Sequence, residues 1–323
     1  MSPFFPSLWP SRTKFPTDPH SAGSPIVLAK GGQSIAVTPS GKTVYVPIIS
    51  LKAVIPIRTA TNTALPPIPV GYEPFAMVVT PNGRTVYVGN ASSLTPIRVS
   101  TNSPLADIPV GNQPARMVIT PDGRTVYTVN AADNTVTPIR VSTNTAWPPI
   151  PVGKTPADIV VTPNGKTAYV SNRDCDTVTP IRTATNTALP SIPVGHQPFD
   201  MAVTPNGRTL YVLNSGGDTV TPIRVATNTA GAPIPAPHQP FTLAITPNGK
   251  ALYVTGGTNL LTPIRTSQPS RDTHRRRGGA QRFRFRRCGM IRPWPATKIW
   301  RSGYGSSSSA ACSEPALPPI ATI

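Results

Sequence analysis

The residues with the best claim to chemistry stand at one repeated offset. Five positions before the proline of each recurring Thr-Pro-x-Gly turn lie Ser34, Ala76, Arg116, Asp158, Asp200 and Thr242. Three consecutive copies therefore bring an arginine and two carboxylates to one level. Such a set can bind a cation or a polar ligand, or hold a proton for acid–base work. His196 and His238 fall in neighbouring loops. The candidate ligand-binding set is accordingly Arg116, Asp158, Asp200 and His196. The same residues also read as a solvated ion-pair cluster, because the copies differ at this position.

Other chemistry is scarce. No GxSxG, HExxH or phosphate-loop pattern occurs, so no catalytic residue is assigned. The loop Asn172-Arg173-Asp174-Cys175-Asp176 has the acidic spacing of a cation loop but lacks the glycine and terminal glutamate of an EF-hand, and it reads as a surface turn. Cys175, Cys288 and Cys312 show no CxxC spacing, and Cys175 has no histidine nearby to activate a thiolate. No metal site and no cofactor is expected.

The elements that must position these residues are set by a period. The Thr-Pro-x-Gly turn begins at Thr38, Thr80, Thr120, Thr162, Thr204 and Thr246, in steps of 42, 40, 42, 42 and 42 residues. A Pro-Ile-Arg segment keeps pace at Pro56, Pro96, Pro138, Pro180, Pro222 and Pro263. Within one unit, FDMAVTPNG alternates and ends in a turn with Pro at its second position and Gly at its fourth. RTLYVLN follows at hairpin distance, then a polar loop, then TVTPIRVATN, then the proline-rich GAPIPAP. Four short strands per repeat of about 40–45 residues predict an all-β propeller with one four-stranded blade per repeat. In that fold the first strand of each blade lines the central channel, which puts Arg116, Asp158 and Asp200 at its mouth. One repeat is shortened in the polar loop between its second and third strands, where deletions are tolerated.

Six blades are expected. The last repeat has three strands and no fourth, while Ile26-Val27-Leu28 align with Ile68-Pro69-Val70. An N-terminal strand is therefore expected to complete the last blade and close the ring, with an incomplete seven-bladed ring as the rival. The organisation reads as an N-terminal segment 1–23 without order, a propeller over 24–270 and a basic, low-order tail over 271–323. Prolines in the third and fourth strands delete ladder donors, so these strands are expected to pair poorly where their prolines meet.

Tyr87-Val88-Gly89-Asn90, Tyr169-Val170-Ser171-Asn172 and Tyr211-Val212-Leu213-Asn214 each follow a TPxGxT turn and are followed by TNT (TNS after Tyr87) and IPVG (IPAP after Tyr211). Over residues 25–266 the chain resembles the YVTN family of β-propeller repeats. The resemblance implies a propeller related to lactonase-like propellers and to the haem-d₁ propeller of nitrite reductase, often at or outside the cell surface, and acting as a binding or scaffold module. The chain departs from that family where the third strand ends, with Ile-Arg in place of Ile-Asp.

Charge is unevenly spread. The net charge is +18, of which half falls on the tail from Arg271 onward. That tail, RRRGGAQRFRFRRCGM, interleaves Arg with Phe283 and Phe285. Any nucleic-acid binding is expected to be non-specific and to run through it; a shifted reading frame is a further account of its composition. Arg58, Arg98, Arg140, Arg182, Arg224 and Arg265 form a regular array, read as strand-end residues whose stems cover the blade. No apolar run is long enough to span a membrane. Pro3, Pro6 and Pro10 interrupt the N-terminal segment, so no secretion signal is read there. The expected function is a non-enzymatic propeller that recognises a protein or glycan partner through one face. The alternative is a lactonase-like hydrolase with an acidic site at the channel mouth, for which Glu73 is the sole glutamate within 24–270.

Overall fold

The computed structural model describes residues 25–28, 32, 34–257 and 260–266; the segments expected to lack order at both ends lie outside these. The turn chemistry that starts each blade is uniform. Thr162 donates its hydroxyl to Asn164 Oδ1 (2.7 Å) and accepts from the Thr167 amide (3.2 Å), while Gly165 sits at φ +70°. A side chain at that glycine would be strained in the left-handed region. The turn reverses the chain so that the first strand pairs antiparallel with the second.

Six such units follow one another. In blade four the strands are Pro156–Val161, Thr167–Asn172 and Thr177–Arg182, with an outer edge split into Thr187–Ala188 and Ile192–Pro193. The split is where the prolines meet. Pro180 in the third strand and Pro190 in the fourth have no amide to donate, so the ladder survives only at Ile181–Arg182 and at Thr177–Val178. Between those pieces the Pro180 carbonyl still accepts from the Leu189 amide at 2.7 Å. The same division recurs in blades one, two, three and five. Two short 3₁₀ turns, Ile49–Leu51 and Arg173–Cys175, are the helical elements among the described residues, and none is long and apolar enough to cross a membrane.

Adjacent blades pack face to face. Tyr127, Val129, Val136 and Ile150 of blade three meet Ile159, Ala168, Val170 and Ile181 of blade four, all buried. The tyrosine of each second strand also reaches its neighbour. Tyr127 donates to Asn186 Oδ1 (2.5 Å) and Tyr169 to Asn228 Oδ1 (2.6 Å), each acceptor held at positive φ in the next blade's third-to-fourth turn. Burial pushes the Tyr127 phenol up to about 12, so it remains a donor at any ordinary pH. The asparagine ending the second strand is buried and donates inward, as Asn172 does to Thr179 (2.8 Å). Gly153 lies over it so closely that an added Cβ would fall 2.7 Å from Asn172 Cβ. The recurrent Tyr and Asn are thus an inter-blade tie and a buried strand terminator.

The ladder that was to close the ring is not formed among the described residues. The sixth sheet has three strands, Pro240–Ile245, Ala251–Gly256 and Leu261–Arg265. Ile26 and Leu28 lie in no strand; they pack on Val46, Ile48, Ile55 and Ile57 of blade one. They hold against blade one the place that Ile68 and Val70, of blade one's outer edge, hold against blade two. That is the place of an outer strand of blade six, although no ladder to Leu261–Arg265 forms among the described residues. That blade keeps an open flank, with Leu261 58% and Tyr253 39% exposed where their counterparts Val220 and Tyr211 are buried.

Candidate functional site

The first strands of successive blades lie side by side, which brings their N-terminal ends together at one mouth. A β-bulge shapes each of these ends. In blades three to six the register slips between Pro114 and Arg116, Pro156 and Asp158, Pro198 and Asp200, and Pro240 and Thr242. A bulge leaves one residue outside the ladder and re-aims its neighbours. The residues extruded are Ala115, Ala157, Phe199 and Phe241, and the residue after each is the expected tier.

The tier forms, and its carboxylates are largely committed to the next blade. Asp158 Oδ2 accepts from the Met201 amide of blade five at 3.1 Å. Asp200 Oδ2 accepts from the Leu243 amide (2.9 Å) and the Thr242 hydroxyl (2.6 Å) of blade six. Its Oδ1 accepts from the Met201 amide at 3.0 Å. Further along the arc Ser34 donates to the Phe75 carbonyl at 2.7 Å, again across a blade boundary. Ser34, Asp158 and Asp200 therefore clasp blade to blade through backbone groups at the start of the next first strand.

Asp158 is nonetheless electrostatically unusual. Burial, and next the charge of Asp200, push its carboxyl up to about 6; Arg116 and the Ile159 and Met201 amides pull the other way. Arg116 is exposed and is not among the paired cations Arg124, His196 and His238, which meet Asp122, Asp176 and Asp218. Its attraction for Asp158 thus acts through space. Arg116, Asp158 and Asp200 stand together as the spacing required.

His196 is engaged elsewhere. Its Nδ1 lies 3.1 Å from Asp176 Oδ2, and the Gln197 amide donates to Asp176 Oδ1 at 2.8 Å. His238 repeats the arrangement with Asp218 at 2.7 Å. These histidines fix the loops that lead into the first strands. Cys175 is disulfide-bonded and carries no free thiol. Among the described residues no three His, Cys, Asp or Glu side chains converge as a metal would require.

The bulge residues themselves stand one position before the tier and are not marked by its offset. Phe241 is 68% exposed and its ring centroid lies 6.0 Å from that of Phe199. Beside it a cleft of about 450 Å³ is lined by Ser215, Gln239, Pro240, Phe241, Thr255, Gly256 and Gly257. Tyr72 and Phe75 are also exposed, with Lys52 Nζ 3.5 Å from the Tyr72 ring centroid. The signal was available: a proline precedes each extruded position, as in His-Gln-Pro-Phe, and a proline at a strand's start followed by an off-phase aromatic marks a bulge.

Residues 142–232 match the sequence profile of the family described as Lactonase, 7-bladed beta-propeller. Over those residues the chain is similar to the lactonase-type β-propellers. A functionally unknown protein from Desulfotomaculum acetoxidans DSM 771 superposes with a TM-score of 0.58 at 21% identity, over 67% of this chain and 73% of that one. Hydrazine synthase of Kuenenia stuttgartiensis aligns over 73% of this chain and 96% of that one at 20% identity, with a TM-score of 0.42. The former likeness extends to the fold alone. No curated protein matches the chain. About six blades are present among the described residues, against the seven in that family's description.

Proposed function

We propose that this propeller is a non-enzymatic binding module that recognises a protein or glycan partner through the face bearing the channel mouth. The observation that carries the reading is the Phe199–Phe241 pair, extruded by two adjacent bulges, of which Phe241 lines the cleft together with Ser215 and Gln239. An exposed Phe241 ring beside a half-buried Phe199, with polar groups at the rim, suits the apolar faces of sugars and the side chains of a docked loop. The cleft has the size of a small-ligand site. The carboxylates fit a supporting role, because their oxygens already accept amides and a hydroxyl from neighbouring blades. The test is binding of the full chain to a glycan panel, followed by Phe199→Ala with Phe241→Ala. Loss of binding with an unchanged melting curve is expected.

The second reading is a lactonase-like hydrolase. The family match favours it, and so does Asp158, whose carboxyl titrates near 6 where a general base works. Lactone hydrolysis by the full chain that disappears in Asp158→Asn would select this reading over the first.

A further inference from the structure

We infer that the face opposite the channel mouth docks flat on an anionic lipid bilayer. The third strand of each blade ends in an exposed arginine, paired across the ladder with the first residue of the second strand, as Arg140 is with Thr125 and Arg182 with Thr167. The residue just before that partner is also basic in every blade: Lys42, Arg84, Arg124, Lys166, Arg208 and Lys250, all exposed. The two positions are locked together, because the amide following each arginine donates to the carbonyl of the basic turn residue. Val141 to Arg124 is 3.0 Å and Val225 to Arg208 is 3.0 Å. Every blade thus presents two adjacent cations on the same rim, twelve of the seventeen Lys and Arg within 24–270.

Against these twelve stands one carboxylate on that rim, Asp122, 3.9 Å from Arg124. Asp133, Asp158, Asp174, Asp176, Asp200 and Asp218 lie in the loops and strand ends at the other face, so the molecule carries a strong charge asymmetry. The rim's shape selects its partner. A linear polyanion crossing an arc of blades meets the few that lie under it, whereas a planar anionic surface meets all six together. Base stacking is not on offer either, since Trp147, which follows a third-to-fourth turn of this face, is occupied by the Arg140 guanidinium 4.8 Å from its centroid. Cations held near an anionic leaflet attract it additively and are screened by salt.

The test is sedimentation of the full chain with vesicles of phosphatidylcholine alone or mixed with phosphatidylglycerol. Binding to the mixed vesicles alone, lost in high salt, is expected. Replacing Arg124, Arg140, Lys166, Arg182, Arg208 and Arg224 by glutamine should weaken it at least about tenfold, while glutamine at Arg275, Arg276 and Arg277 in the tail leaves most of it. The inference is overturned if the tail variant alone loses binding, if neither vesicle binds, or if duplex nucleic acid binds through the rim and vesicles do not.

Discussion

Replacing Asp158 by asparagine separates a carboxylate that supports the fold from one that works as an acid or base. The folded-state carboxyl titrates near 6 against an ordinary value of 3.8. Between those values the folded chain binds more protons than the unfolded chain, so stability is fully present below about pH 4 and falls as pH rises through 6. The gap of about two units corresponds to at most ~3 kcal/mol. Asp158 is half-buried and faces Arg116, Asp200 and the Met201 amide, so ~1–2 kcal/mol is the working figure. An asparagine at this position would keep an oxygen for that amide and carry no charge. The melting temperature of Asp158→Asn at pH 7.5 should therefore exceed wild type by ~2–8 °C, given a shift of ~2–4 °C per kcal/mol for a domain of this size. At pH 4 the two proteins should melt within ~2 °C of each other. Calorimetry of both across pH 4 to 8 reads the difference, which cancels the His196–Asp176 and His238–Asp218 pairs common to them. A variant less stable than wild type at pH 7.5, or a difference that does not vary with pH, would refute the reasoning.

Asp200→Ala should behave oppositely. It strands the Leu243 amide and the Thr242 hydroxyl, and chemical denaturation should report a loss of ~2–3 kcal/mol. Tyr127→Phe removes the tie to Asn186 and should cost ~1 kcal/mol, whereas Tyr253→Phe, on the open flank with no such bond among the described residues, should cost nothing measurable by the same assay. Gly153→Ala drives a Cβ against the fully buried Asn172 and should destabilise by ~1–3 kcal/mol.

Much of the fold was legible because its determinants are local and repeated. The Thr-Pro-x-Gly turn fixes a hairpin by its own hydrogen bonds, and six copies fix a period that only a blade satisfies. The tier at Arg116, Asp158 and Asp200 was legible for the same reason, since a constant offset from a rigid turn is a constant height in the channel. What escaped was whatever depends on a neighbour. The bulge that extrudes Phe199 and Phe241 shows only in pairing with the second strand, and the partner of His196 is Asp176, twenty residues back across two strands. The commitment of Asp200 to the Leu243 amide crosses a blade boundary. Closure was legible in part: Ile26 packs on blade one as Ile68 packs on blade two, but spacing does not secure a ladder to blade six, and none forms among the described residues. The basic rim was half seen: the arginine array was counted, but its pairing with Lys42, Arg84 and their counterparts needed the register.

Side-by-side assay of the full chain, Phe199→Ala with Phe241→Ala, and Asp158→Asn tests the binding reading most directly. Each protein is offered a glycan panel, read by thermal stabilisation, and a set of simple lactones, read by acid release. The account predicts that a glycan stabilises wild type and Asp158→Asn alike, that the double phenylalanine variant loses this response, and that none of the three releases acid above the uncatalysed rate. Lactone turnover by wild type and by the phenylalanine variant, abolished in Asp158→Asn, would contradict it.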